Sequence, residues 1–335
     1  MTVVPESLID PPELTNSAQS LLGEVLSHLH IGSALFLRAE YTEPWAYESP
    51  SCEVLCSVLQ PGAQRLILFH IVAKGRCWIE IDGGEPMWAE EGDIIMLPYA
   101  HIHRMGGSMP STPVPIGSLL PPQPWHELPV IRYGGGGPQT EIVCGFLHCE
   151  DLLFDPTLHG LSPLCVVRPP AGPAAAWVAA SIQYAMMSSQ PGASPGATRL
   201  PELLFTEALR LHMATLPPSA HGWLSALRDP VLASALGAIH RSPARPWTLA
   251  SLAKSAATSR TVLDGRFRVL LGRSPIKYLT QWRMQLATHL LANPALGMVA
   301  VAEAVGYQSE AAFTRAFKRH HGLPPVRWRT RKGEL

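Results

Sequence analysis

The sequence predicts an α+β chain of two domains, an antiparallel β-barrel followed by an all-helical domain with two helix-turn-helix units. Three observations carry that reading. From about residue 33 to 105, short apolar or alternating runs sit between glycine turns, the pattern of strands. From about residue 174 the apolar spacing changes to threes and fours, the pattern of helices. Within the helical part, two segments match at a fixed offset of 50 residues. A chain of 335 residues, 47% hydrophobic, also exceeds what one ordinary core organises.

Taken in order, residues 1–30 include LTNSAQSLLGEVLSHL, whose apolar spacing reads as helix. RLILFHIVAKG, RCWIEIDGG, EPMWAEEGD and IIMLPYAHIH follow as strands, with IDGGEP as a hairpin turn. Residues 106–140 are rich in Pro, Gly and Ser and read as a long loop, after which EIVCGFLHC returns as a strand. These segments suggest a small antiparallel barrel or sandwich over residues 1–170. RPPAGP at 168–173 breaks the chain. A linker over residues 171–228 then holds helices at roughly 174–188 and 200–216, separated by SSQPGASPGA. Leu203, Leu204, Ala208, Leu211 and His212 share one face of the second helix. That face packs on the barrel or against a second copy in a homodimer. Residues 229–335 form the third part. The longest apolar run, AAAWVAASIQYAMM, is too short to span a bilayer, and no apolar stretch follows a basic start. No membrane partner and a cytoplasmic location are therefore expected.

The formal net charge is zero, but the charges are segregated. Residues 1–228 hold 10 Lys and Arg against 21 Asp and Glu, whereas residues 229–335 hold 16 against 5. A basic module joined to an acidic one points to double-stranded DNA as the basic half's partner, over the plainer reading of a solvated basic surface. All six cysteines lie in the acidic half. Cys52 with Cys56, and Cys144 with Cys149, have spacings that a zinc site uses. Both pairs fall in segments that read as strands, where positions 144 and 149 face opposite ways, so buried thiols are the simpler reading.

In the repeat, Ser259 pairs with Ser309, Leu263 with Phe313, Phe267 with Phe317, Gly272 with Gly322 and Pro275 with Pro325. Upstream the offset is 49, pairing Leu252-Ala253 with Val301-Ala302 and Ala256 with Val305. Each copy reads as a short helix, a tight turn, a serine cap, a second helix and a glycine stop. Leu263, Phe267, Phe313 and Phe317 form buried stripes. The opposite faces carry Arg268 in one copy and Thr314, Arg315, Lys318 and Arg319 in the other. Such a helix fits the major groove of DNA. Its N-terminus, near Ser259 or Ser309, offers N–H groups to phosphate. Between the copies PIKYLTQWRMQLATHLLAN makes a helix of about 27 Å, with Leu279, Trp282, Leu286 and Leu290 as its apolar stripe. A strut of that length holds two recognition helices near one DNA turn apart, about 34 Å.

SRTVLDGRFRVLLGRSP and VAEAVGYQSEAAFTRAFKRHHGLPPVRWR resemble the two recognition units of the AraC/XylS family of transcription regulators. The resemblance implies seven helices and sequence-specific promoter binding, with RNA polymerase as a further partner of an activator. By residue matching, the base-facing positions are Thr261, Val262, Asp264 and Gly265 in the first helix and Glu310, Ala311, Thr314 and Arg315 in the second. Arg266 and Arg268 are then left for the DNA backbone. Gly265 departs from the arginine the family often carries there, and glycine weakens a helix by about 1 kcal/mol relative to alanine.

The strand-rich half resembles a cupin, through WIEIDGGEP, GDIIMLPYAHIH and RYGGGGPQTEIVCGFLHCE. Metal-binding cupins carry paired histidines and a glutamate in one motif and a further histidine in a second. With Gly75 closing the first motif, those three positions are Gly62, Gln64 and Leu68. The second motif fits through Gly92, Pro98, Ala100 in place of glycine, and His103. One histidine does not hold a catalytic metal, although His70 and His101 are placed where they could rebuild a site. No catalytic residue, metal or cofactor is therefore expected. The resemblance implies a sensor domain for an unidentified small-molecule effector, with His70, Trp78, Met96, His101 and His103 as candidate lining. A metal-dependent cupin enzyme with a basic appendage is the alternative, opposed by the missing ligands. A non-specific architectural DNA binder is the other, opposed by the two capped recognition helices.

Overall fold

A computed structural model describes residues 32–61, 63, 65–81, 83–121, 129–148, 161–188, 200–217 and 219–333. The helix expected within residues 1–30 lies outside the described residues, as do Gly62, Gln64, Cys149 and most of SSQPGASPGA.

The strand-rich half folds as two facing sheets. Its strands are β1 (Gly32–Thr42), β2 (Ala46–Glu48), β3 (Ile67–Lys74), β4 (Arg76–Ile81), β5 (Met87–Glu90), β6 (Ile94–Leu97), β7 (His103–Gly106), β8 (Val114–Pro115), β9 (Val130–Gly134), β10 (Gln139–His148) and β11 (Cys165–Val167). One sheet runs β11-β6-β3-β10-β1-β9, the other β5-β4-β7-β2-β8. The expected barrel is thus an open two-sheet sandwich: among the described residues β9 and β11 each pair with one neighbour, and no strand joins the two sheets. The expectation of purely antiparallel pairing is also corrected, because β1–β9 and β2–β8 run parallel. Both parallel partners come from residues 106–140. That segment is not one loop but holds β8, a 3₁₀ turn (Ile116–Leu119) and β9. Another correction is α1 (Cys52–Leu59), a helix where a strand was expected.

Alternation along β3 divides the core. Ile67, Phe69 and Ile71 face the helices, whereas Leu68 and Val72 face the second sheet, as the two-residue period of a strand requires. Helices α2 (Pro173–Ser188) and α3 (Leu200–Thr215) cover the outer face of the first sheet. Leu204, Ala208 and Leu211 of α3 are buried there, so the predicted face packs within the chain, while Leu203 stays exposed.

The helical half continues with α4 (Trp223–Arg228), α5 (Pro230–Arg241), α6 (Leu249–Ser255), α7 (Arg260–Leu271), α8 (Pro275–Leu291), α9 (Met298–Ala304), α10 (Glu310–His321) and α11 (Pro325–Gly333). One continuous apolar cluster runs from Phe69 in the sheet through Leu204, Trp223 and Leu236 to Phe267 and Trp282. The second unit has a separate cluster built on Met284, Val301, Phe313 and Phe317. Helix α8 serves both, with Tyr278, Leu279 and Trp282 turned to the first and Met284, Ala287 and Leu291 to the second. A helix between two cores needs two apolar faces, so the single stripe expected on it is corrected: Leu286 and Leu290 are only half-buried. Among the described residues, no helix is long and apolar enough to cross a membrane.

Candidate DNA-binding surface and sensor cavity

The two helix-turn-helix units share the geometry of their bends, although the second has one more residue, Gln308, before its serine cap. Ala257 and Gly306 hold φ of 48° and 81° at the bend. The next residues, Thr258 and Tyr307, donate to Ala253 and Ala302 at 2.9 Å in each copy. Glycine is required at 306, where a Cβ would lie 2.6 Å from the Ala244 carbonyl oxygen. Ser259 Oγ accepts from Val262 N–H and Ser309 Oγ from Ala312 N–H, each at 3.2 Å. These caps satisfy one free donor per helix and start α7 and α10. Gly272 and Gly322 stop them in left-handed conformations, donating to the Arg268 and Lys318 carbonyls.

The outer faces differ in charge. On α10, Glu310, Ala311, Arg315, Lys318 and Arg319 are exposed and Thr314 is half-buried, while Phe313 and Phe317 are fully buried. Arg315, Lys318 and Arg319 meet no acidic partner among the described residues. On α7, Arg260, Thr261 and Val262 are exposed, but Arg266 and Arg268 are engaged. Arg268 Nε donates to Asp264 Oδ2 at 2.8 Å, and Arg266 Nη1 to Asp229 Oδ2 at 2.7 Å. The first pair has the i,i+4 spacing that a sequence displays; the second joins helices 37 residues apart and leaves no local signal.

The other candidate site is an apolar cavity of about 170 Å³ between the sheets. Leu37, Tyr41 and Tyr47 line one side, Leu55 and Leu59 of α1 another, and Phe146 and Cys144 the floor. Neither α1 nor Tyr41 and Tyr47 stood out in the sequence. His70 and His103 also line it, with ring centroids 5.5 Å apart. His103 is held: its Nδ1 lies 2.9 Å from Ser49 Oγ and 3.0 Å from the His101 carbonyl. His70 is 6% exposed, and neither ring nitrogen has a hydrogen-bond partner. The other expected lining residues lie elsewhere. Met96 points into the cluster shared with the helices, one residue out of phase with Ile95 and Leu97. Trp78 crosses to Trp88 on β5 and lies over Gly106. His101 stacks edge-on against Tyr99.

Cys52 and Cys56 sit on consecutive turns of α1 with sulfurs 3.8 Å apart, not on a strand. Among the described residues, no group of three or more His, Cys, Asp and Glu is placed to hold a metal.

Burial, with the neighbouring His103, brings the His70 pKa down to about 3, and burial brings His103 down to about 4. Tyr41, Tyr47 and Cys144 on the same wall are raised by burial and stay neutral in acid. Because both folded histidine values lie below the unfolded one near 6.5, the unfolded chain binds more protons in between. Their contribution is complete above about pH 6.5 and is lost as pH falls towards the folded values. Acidification from pH 7 to 4.5 is expected to destabilise the sandwich by a few kcal/mol, on the order expected for such shifts. Denaturant midpoints at the two pH values measure this, and His70→Leu should flatten the difference; an unchanged pH dependence in the variant would contradict it.

Two capped recognition helices, one with an exposed cationic face, joined to a cavity-bearing sandwich, define a DNA-binding transcription regulator with a sensor domain. The family comparisons agree with that geometry. Residues 21–214 match the cupin model and residues 252–331 a helix-turn-helix domain model. An AraC-like transcription regulator of Streptomyces antibioticus is 34% identical, over 80% of this chain and 88% of its own. The transcriptional regulator AlkR of Acinetobacter baylyi is 27% identical, over 92% and 98%. A crystal structure of the DNA-binding domain of AdpA with a target DNA is 29% identical, covering 30% of this chain and 91% of that one, with a TM-score of 0.29. The chain belongs to the AraC family of transcription regulators.

Proposed function

We propose that this regulator reads its promoter chiefly through α10, with α7 acting as the weaker, backbone-holding helix. The observation that carries this is the contrast in charge. Arg315, Lys318 and Arg319 are unpaired on α10, whereas on α7 Arg266 and Arg268 are occupied by Asp229 and Asp264 and, among the described residues, Arg260 alone of its arginines is unpaired. In this reading Thr314, Arg315, Glu310 and Ala311 face bases, and Lys318 and Arg319 face phosphates. Thr261, Val262 and Asp264 give α7 a poor set of donors, and Ser259 and Ser309 aim the helix N-termini at the backbone. Residues 1–170 sense an effector in the cavity beside His70 and His103, residues 171–228 link, and residues 229–335 bind DNA in the cytoplasm. Exposed Trp177, Tyr184, Met187 and Leu203 offer an apolar face for a homodimer. Activation would add RNA polymerase as a partner.

Binding-site selection with the full chain tests the reading. One information-rich block flanked by a weak one is expected; two equal blocks one helical turn apart would refute it. A Cβ added at Gly265 meets nothing within 4 Å. Gly265→Arg should therefore tighten binding and sharpen the weak block.

A further inference from the structure

The sandwich cavity has an unusual chemistry for its size. Its wall contains no Lys, Arg, Asp or Glu among the described residues. An ion entering it would give up hydration with no countercharge in return. His70 has both ring nitrogens buried and unpartnered, whereas His103 has its Nδ1 engaged by Ser49 and the His101 carbonyl. A buried polar group without a partner is costly, and native proteins rarely keep one unless something else meets it. The cavity has a mouth as well. Val54 and Val58 of α1 line it and are also 49% and 38% exposed, so α1 borders the entrance.

We infer that the cavity takes a neutral, largely hydrocarbon molecule about the size of a substituted benzene ring, carrying one hydroxyl that hydrogen-bonds to His70. This rests on the reading of the cavity as the effector site. The size follows from the volume, since an apolar cavity of about 150 Å³ accommodates benzene. A hydroxyl both donates and accepts, so it pairs with whichever nitrogen of the neutral imidazole faces it. Burial keeps His70 and His103 uncharged at neutral pH, which removes the one means of attracting a carboxylate.

Calorimetric titration of the full chain at pH 7 with p-cresol, toluene and benzoate tests this. The cresol is expected to bind about tenfold more tightly than toluene, the worth of one buried hydrogen bond, and benzoate not at all. His70→Leu should abolish the preference for cresol while keeping toluene binding. Because that variant also alters packing, the wild-type protein supplies a second readout: cresol should shift the ring ¹⁵N resonances of His70, and toluene should leave them in place. Toluene binding as tightly as cresol, or benzoate binding tighter than either, overturns the inference and leaves the cavity as an effector site. Binding by none of the three overturns both. Neither result touches the site-selection experiment, so promoter reading by α10 stands or falls separately.

Discussion

Replacing Arg315 with alanine is expected to weaken binding to a selected promoter site by about 1–3 kcal/mol, roughly five- to 150-fold, and to weaken random DNA far less. Arg315 lies between buried Phe313 and Phe317, so the helix points it outward. With no carboxylate to leave, its guanidinium is available for a bidentate contact with a guanine edge. Lys318→Ala is the control. Its ammonium, a turn further along, suits a phosphate, so its loss should weaken both DNAs alike and lower the salt slope by about one. Equilibrium binding at several salt concentrations measures both variants. Equal losses on specific and random DNA for Arg315→Ala would reassign it to the backbone.

Phe317→Ala is expected to cost about 3–5 kcal/mol, and to do so in one part of the molecule. Phe317 is fully buried, with its ring centroid 5.6 Å from Phe313, 4.4 Å from His321 and 5.9 Å from Trp328. All of these belong to the second unit, whose core is separate from the one running back into the sandwich. Hydrogen exchange should therefore show α9 to α11 losing protection while the sheets and α7 keep theirs. Phe267→Ala, at the matching position of the first copy, should instead loosen the sandwich-linked core, because Phe267 shares a cluster with Phe69 and Leu204. Among the described residues, half-buried Leu286 on α8 packs against both cores. Uniform loss of protection in both variants would show that the two cores unfold as one.

Much of the DNA-binding half was legible in the sequence because its signals are local. A serine cap reaches three residues ahead, a glycine stop reaches four back, and buried aromatics four apart mark a face. Ser259 and Ser309, Gly272 and Gly322, and Phe313 with Phe317 therefore all sit where the repeat placed them. The i,i+4 pair of Asp264 and Arg268 was equally readable, whereas Arg266 with Asp229 was not, since nothing local links residues 37 apart.

The sequence by itself determined two domains, the charge division between them, the duplicated helix-turn-helix and the family. The tertiary structure alone decided whether the sheets close, which strands run parallel, and that α1 walls a cavity. It also decided which histidine in that cavity lacks a partner. The physical reason is the two-residue period of a strand. Alternation says that Met96 faces away from Ile95 and Leu97, but not which side is helix and which is cavity. That choice is made by register and by the sheet on the other side. Likewise Phe267 and Phe317 carry one local pattern, and only long-range packing assigns the first to the core of the sandwich and the second to a core of its own.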